Sequence, residues 1–219
     1  MPLEKGMNIS TIINYLTKDL KKSIENDVYP CLNLGHDEGG YFAVPRLVLS
    51  YVDYLGSLYN GYSGKTNKNK RRIFTDNKYA KTFLNNIFSK VDSNYGKYGA
   101  LLWEIYRNGT VHLYSPKTLK DKNSNITIGW ITHKLDRNAK LDAPYNFQAE
   151  HLVPHDHGNN KWSQPISIKC LYEDLISSLD VYSTLISQQP SLEQNFIQTA
   201  DALIQPEEID AAKEGLRWW

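Results

Sequence analysis

The eight residues from Arg107 to Tyr114 bring together side chains that could cleave an RNA phosphodiester. His112 carries an imidazole, which can accept or donate a proton near neutral pH. Arg107 keeps a permanent charge, and its planar guanidinium fits phosphate oxygens and the negative charge of the transition state. Asn108 and Tyr114 could orient the phosphate or the imidazole by hydrogen bonding. This set predicts cleavage through attack of the ribose 2′-OH, a reaction that requires no metal and no cofactor.

The spacing of these residues, R-x4-H-x-Y with an Asn directly after the Arg, resembles the catalytic motif of the HEPN superfamily. Within that superfamily it is most similar to the toxin half of HEPN/MNT toxin–antitoxin pairs, and the match covers about eight of the 219 residues. The apolar run over residues 101–106 resembles the helix that leads into the family's motif. The resemblance implies a helical bundle, often a homodimer, in which two motif copies meet in a cleft between protomers.

The same resemblance implies an activity and a role for each motif residue. It suggests a metal-independent endoribonuclease of a bacterial defence or toxin–antitoxin system. Carried onto this chain, it makes His112 the general acid or base and Arg107 the group that stabilises the transition state. Asn108 and Tyr114 become supporting groups, and Tyr114 is the residue that a partner nucleotidyltransferase would modify.

The local geometry of the motif leaves other interpretations open. Side chains five positions apart point roughly 140° apart on an ideal helix, because each residue turns the helix by about 100°. Convergence of Arg107 and His112 therefore requires a helix end or kink at Gly109, or a second protomer. The Asn-Gly pair is also a strong hairpin signal, with Trp103–Arg107 and Thr110–Tyr114 as its two strands. A third interpretation is a helix whose motif residues are not catalytic.

A basic run occupies the polar segment over residues 60–72. Its side chains could bind RNA phosphates, and such binding would weaken steeply with salt. A solvated loop is the alternative interpretation. The run consists of Lys65, Lys68, Lys70, Arg71 and Arg72.

Three histidines with the spacing H-x3-H-x-H form a second candidate site: His151, His155 and His157. Imidazoles bind Zn²⁺ and other transition metals, so this spacing predicts a metal-dependent hydrolase as a further alternative. Pro154 interrupts any helix here, which favours a polar surface loop.

Helical spacing of apolar residues predicts that most of the chain is helical. The expected helices are about 8–27, 44–59, 76–91, 98–108, 170–188 and 191–204. Asn8 or Ser10 can cap the first helix, and Asp76 can cap the third. Residues 112–168 lack helical periodicity and are expected to form a β and loop insertion. The sequence thus predicts a single helical domain over residues 1–219, a mainly-α, HEPN-like bundle with a small β-hairpin insertion after the motif.

The composition limits the partners that the protein can have. Hydrophobic residues make up 41% of the chain and the formal net charge is +1, so any RNA binding must come from local patches. Cys31 and Cys170 are too few and too far apart for a disulfide framework or a CxxC metal site.

No apolar run approaches the roughly 18 residues of a membrane span, and the N-terminus lacks a signal-peptide core. We therefore expect a cytoplasmic protein without membrane contact. Its expected partners are RNA, a second copy of the chain and an antitoxin. The alternative function is that of a non-catalytic helical scaffold or a nucleotide- or protein-binding module.

Overall fold

The structure, a computed structural model, describes residues 3–35, 39–66, 72–74, 76–107 and 115–206. The chain adopts an α+β fold that is 56% helical and 15% strand. The prediction of a mainly-α bundle with a small hairpin is wrong. The segment after the motif forms a four-stranded mixed sheet and a separate two-stranded sheet instead.

Helices form both ends of the described chain. Those before the sheets are α1 (Ile9–Asn14), α2 (Lys21–Leu32), α3 (Ala43–Asn60), α4 (Asn77–Asn86) and α5 (Asn94–Leu102). A short 3-10 turn covers Phe88–Lys90, and two π-helical turns extend the α-helices: π1 (Tyr15–Leu20), between α1 and α2, and π2 (Trp103–Arg107), after α5. Those after the sheets are α6 (Ile168–Gln188) and α7 (Pro190–Ile204). Among the described residues, none of these helices combines the length and the apolar content that crossing a membrane requires.

Local capping signals begin two of the helices. The Asn8 side chain accepts the backbone N–H of Thr11 at 3.0 Å, and the Asp76 side chain accepts that of Lys78 at 2.8 Å. Both predicted caps are therefore confirmed. The end of the first helical segment differs from the expectation at residue 27, because α2 continues to Leu32 with Pro30 inside it.

The sheets occupy the segment that was expected to hold only a small insertion. The strands are β1 (Leu119–Lys120), β2 (Thr127–His133), β3 (Asn138–Leu141), β4 (Phe147–Glu150), β5 (His155–Asp156) and β6 (Lys161–Ser167). The larger sheet has the order β1-β2-β6-β5, and β3 pairs with β4. Its central pair, β2 and β6, is parallel, with Thr127 opposite Lys161 and His133 opposite Ser167. A parallel pair needs a long connection, and here β3, β4 and β5 lie within it.

One hydrophobic core joins the helices to the larger sheet. The buried stripe of α6 has the spacing of a helix face: Leu171, Leu175, Leu179, Tyr182 and Ile186. Leu152 and Ile166, from the sheet region, belong to the same buried cluster. A smaller cluster lies around the β3–β4 pair: Ile131, Leu141, Phe147 and Ala149. The sheet is therefore an integral part of the core.

A close helix contact positions α3, which carries part of the candidate site. A Cβ atom at Gly56 would lie 2.9 Å from the carbonyl carbon and oxygen of Tyr79 in α4. Only a residue without a side chain allows the two helices to approach this closely. Gly56 thus sets the distance between α3 and α4.

Candidate functional site

The helical segment that begins with α5 continues through π2 to Arg107, the first residue of the motif. Trp103, Ile105 and Tyr106 of this turn are buried in the core. Trp103 Nε1 also donates to Asn77 Oδ1 at 3.2 Å. The alternative in which this turn is a hairpin strand is therefore wrong. Burial of its large side chains against the helices favours the helical turn over a strand.

An ion pair with Asp53 of α3 holds Arg107 at the end of π2. Arg107 Nη2 donates to Asp53 Oδ2 at 3.0 Å, and the exposed fractions of the two side chains are 23% and 10%. The guanidinium carbon lies 5.8 Å from the ring centre of Trp103, within cation–π range. Among the described residues, Arg107 Nε is buried without a hydrogen-bond partner. The guanidinium is thus oriented by Asp53.

The charge state of Asp53 depends on this contact. Burial raises the pKa of the Asp53 carboxyl above its ordinary value, and the hydrogen bond and charge of Arg107 oppose that rise. The two residues therefore act as one electrostatic unit.

Arg107 and Asp53 line a cavity of about 210 Å³ that we call the Arg107 cavity. Hydroxyl groups and apolar side chains complete its wall: Ser50, Tyr54, Ser57, Phe74 and Leu203. Ser57 Oγ donates to the backbone carbonyl of Phe74 at 2.7 Å, which ties the wall residues together. The cavity therefore combines one cation, one carboxylate and several hydroxyls.

The basic run begins and ends near this cavity. Ile73 N donates to the Lys65 carbonyl at 2.9 Å, and Thr66 forms a β-bridge with Arg72. Arg72 Nη1 donates to the carbonyl of Ala202 at 2.6 Å, next to a residue of the cavity wall. Arg72 Nη2 also donates to the carbonyls of Gln205 and Pro206, at 2.5 and 3.0 Å. The two ends of the basic run thus meet beside the Arg107 cavity.

These contacts separate the roles of the basic residues. The bonds of Arg72 satisfy carbonyls at the C-terminal end of α7, which is a structural use of its guanidinium. Lys65 is exposed. Lys68, Lys70 and Arg71 lie outside the described residues.

A second cavity, of about 390 Å³, shares Ser50 and Tyr54 with the first. Its other lining residues are Tyr15, Leu20, Asp27, Leu47 and Tyr51. We call it the tyrosine cavity.

Both π-helical turns of the described chain contribute residues to these two cavities. The turn π1 contributes Tyr15 and Leu20, and π2 contributes Arg107. π-helical turns are rare and occur frequently at functional sites. Sequence reasoning missed this feature, because the apolar spacing does not distinguish an α-turn from a π-turn.

The tyrosines of this cavity are hydrogen-bonded phenols. The Tyr15 and Tyr54 hydroxyls lie 2.7 Å apart, and Tyr51 Oη donates to Asp27 Oδ2 at 2.5 Å. Burial is the main cause that raises the pKa of all three phenols above the ordinary value. They stay protonated at neutral pH, so they can form hydrogen bonds but do not serve as general bases.

The remaining motif residues, Asn108, His112 and Tyr114, lie outside the described residues. Their assignment to the site, and the convergence of His112 with Arg107, therefore stay predictions. No imidazole lines either cavity among the described residues. The general acid or base that RNA cleavage needs is thus supplied only by His112 in this hypothesis.

The three histidines of the alternative metal site do not share one site. His155 stacks on Phe147 at 3.8 Å between ring centres, and His157 Nε2 lies 2.7 Å from Ser163 Oγ. His151 is fully buried and bonded elsewhere. Within the part of the chain that the structure describes, no three His, Cys, Asp or Glu residues are grouped to hold a metal ion.

His151 instead belongs to a buried polar network. Its Nδ1 accepts the backbone N–H of Ser167 at 3.0 Å, so its proton resides on Nε2, 3.2 Å from Tyr95 Oη. Tyr95 in turn donates to Asp174 at 2.9 Å, and Arg137 Nη2 donates to the other Asp174 oxygen at 2.6 Å. Burial, with the nearby charge of Arg137, lowers the pKa of His151 well below its ordinary value. His151 is therefore a neutral structural residue.

Comparison of the chain with protein-family models, with curated proteins and with solved structures finds no match.

Proposed function

We propose that the protein is a metal-independent endoribonuclease that binds an RNA phosphodiester at the Arg107 cavity. The single observation that supports this best is the position of Arg107, whose guanidinium lies in the wall of a cavity and is oriented there by Asp53. A cation that is oriented by a carboxylate suits recognition of a phosphate, and the cations of the basic run would add attraction for a polyanion. The continuation of the helix through Arg107 also fits the HEPN resemblance, whereas a hairpin would not.

In the proposed reaction, His112 removes the proton of the ribose 2′-OH while a water molecule protonates the leaving 5′-oxygen, or water removes the proton and His112 donates one to the leaving group. The 2′-oxygen attacks phosphorus, and the bond between phosphorus and the 5′-oxygen breaks. Arg107 stabilises the extra negative charge on the phosphate oxygens. Asp53 is a positioning residue, because it orients the guanidinium without contacting the RNA. Asn108 and Tyr114 support the phosphate or the imidazole.

The HEPN resemblance extends this proposal to the cellular setting. The protein would act in the cytoplasm, as part of a defence or toxin–antitoxin system. A homodimer would bring a second copy of the motif to the site, and an antitoxin would regulate it. Each of these statements rests on the resemblance. Sedimentation tests the homodimer, and co-purification tests the antitoxin.

Incubation of the purified protein with structured and unstructured RNA in EDTA tests the activity. We expect the wild type to cleave, and His112→Ala, purified in the same way, to lose cleavage while its melting temperature stays unchanged. His157→Ala is the matched control, because this histidine lies in the β5 region and should not affect cleavage. Undiminished cleavage by His112→Ala would exclude the mechanism.

A non-catalytic helical scaffold, or a nucleotide- or protein-binding module, is the second candidate function. The specific observation in its favour is the ion pair itself. The negative charge of Asp53 offsets the positive charge of Arg107 that would attract a phosphate. This candidate predicts no cleavage by the folded wild type and a loss of stability in Arg107→Ala. The endoribonuclease proposal instead requires cleavage that depends on Arg107.

A further inference from the structure

A cavity of about 660 Å³ lies where the end of β2, the β3–β4 turn and the residues just before α3 meet. It is separate from the Arg107 cavity and shares no lining residue with it. Its wall is mostly apolar, with Phe42, Ile131, Leu135, Leu141 and Tyr145 among its residues. Small-molecule sites in proteins have this size and this mixture of aromatic and aliphatic wall.

The His133 imidazole in this wall lacks a hydrogen-bond partner among the described residues. His133 is only 6% exposed, and neither of its ring nitrogens forms a hydrogen bond within the described residues. Buried polar groups are almost always hydrogen-bonded, so an unpaired buried imidazole requires an explanation. Burial lowers the pKa of His133 below its ordinary value, which keeps the ring neutral at pH 7. A neutral imidazole offers one donor and one acceptor.

The charged groups at the cavity disfavour a strongly charged ligand. Lys134 Nζ donates to the carbonyls of Leu34 and Gly35, at 2.5 and 3.2 Å, and lies 5.1 Å from the Tyr41 ring centre. Its charge is therefore already solvated by the protein. Asp142, which also lines the cavity, carries the opposite charge. Among the described lining residues the two charges thus balance, which favours an uncharged ligand.

We infer that this cavity binds a small, uncharged heteroaromatic molecule. The ring lies against the apolar wall, and a ring nitrogen forms a hydrogen bond with His133. Neighbouring atoms cover both imidazole nitrogens, so binding includes a rotation of the His133 ring about its Cβ–Cγ bond. The ligand then supplies a hydrogen-bond partner to His133. This function is independent of RNA cleavage at the Arg107 cavity.

A pair of bicyclic probes of equal shape tests the proposal: benzimidazole, which has a hydrogen-bonding edge, and its hydrocarbon analogue indene. We expect the wild type to bind benzimidazole about tenfold more tightly, the effect of one hydrogen bond to a buried neutral group. His133→Phe should reduce this preference to about one and leave indene binding unchanged. Trp130, whose ring centre lies 5.2 Å from that of Phe42, provides a fluorescence signal for occupancy.

Two further variants keep the test decisive if His133→Phe fails to fold. Ala143→Trp places a large side chain at the exposed rim of the cavity and should abolish binding of both probes. His155→Phe, an equivalent change at a histidine that does not line this cavity, should bind both probes like the wild type. The proposal is overturned if the folded wild type shows no saturable binding of benzimidazole at millimolar concentration. It is equally overturned if Ala143→Trp binds benzimidazole as the wild type does.

Discussion

Arg107 Nη2 lies 3.0 Å from Asp53 Oδ2, so the first residue of the motif is tied to the middle of a core helix. The contact joins π2 to α3 and orients the guanidinium along the wall of the Arg107 cavity. It also links any change in the charge of Asp53 to the position of Arg107.

This ion pair should contribute to stability. Arg107→Met and Asp53→Leu each leave a part-buried charge without its partner, so we expect each to lower the free energy of unfolding by roughly 1–3 kcal/mol. The double variant should recover more than half of the summed loss. Urea unfolding measures all three values. Lys81→Met is the control, because its pair with Glu104 is about one-third exposed and should contribute less than about 1 kcal/mol. Single variants no less stable than Lys81→Met would contradict the prediction.

The basic run should control the salt dependence of RNA binding. We expect the triple variant Lys68→Ala, Lys70→Ala and Arg71→Ala to reduce the slope of log affinity against log salt by about 2, because each lost phosphate contact removes roughly 0.7 for a single strand. Fluorescence anisotropy at several salt concentrations measures the slope, with His112→Ala present in every variant to prevent cleavage.

A matched triple variant in the segment around β1 provides the control for this experiment. Lys117→Ala, Lys120→Ala and Lys122→Ala remove the same number of charges from residues that line neither the Arg107 nor the tyrosine cavity. Equal slopes for the two triple variants would show that the basic run has no special role.

Two buried histidines should make the protein less stable in mild acid. Burial lowers the pKa of His151 and of His133 in the folded state, so below about pH 6.5, the ordinary value, the unfolded chain binds protons that the folded chain does not. Stability therefore falls as the pH drops below that value, by up to about 1.4 kcal/mol per pH unit for each histidine.

Urea unfolding between pH 7 and pH 5 measures this effect. His151→Gln should reduce the slope of the free energy of unfolding against pH by the amount that corresponds to about one bound proton. It should also lower stability at pH 7, because it removes the hydrogen bonds to Ser167 and Tyr95. Burial raises the pKa of Asp174 in the same network, so proton uptake by this folded carboxyl acts in the opposite direction. A slope in His151→Gln equal to that of the wild type would contradict a neutral, buried imidazole.

The close approach at Gly56 should tolerate no side chain. Gly56→Ala places a Cβ 2.9 Å from the backbone of Tyr79, so we expect a loss of roughly 1–3 kcal/mol in the free energy of unfolding. Gly96→Ala in α5 is the control, because its nearest contact would be an ordinary 3.5 Å to Ser89 Cβ. Alanine should be neutral or stabilising there by up to about 1 kcal/mol. Thermal unfolding of both variants gives the comparison, and equal effects would contradict the argument.

Local patterns in the sequence account for much of the helical structure. The leucines at positions 171, 175 and 179 repeat at the spacing of one helix face, and α6 buries that face. Asn8 and Asp76 begin their helices through bonds to residues two or three positions away. Such signals can be recognised in the sequence because the interacting residues lie within about one helical turn of each other.

Contacts between distant segments account for the rest. β2 pairs in parallel with β6, and no pattern within either strand identifies its partner, so the larger sheet was missed. The expected hairpin strand over Trp103–Arg107 is a helical turn instead, because Trp103 and Tyr106 are buried against other helices.

The candidate site also has one part that the sequence predicted and another that only the structure revealed. Residue types and spacing alone marked Arg107 as a cation suited to phosphate. Its carboxylate partner Asp53, the two cavities and the unpaired imidazole of His133 were beyond such reasoning. Each depends on side chains that meet only when the helices and the sheet have packed, and a distance across the core is not encoded in any short stretch of residues.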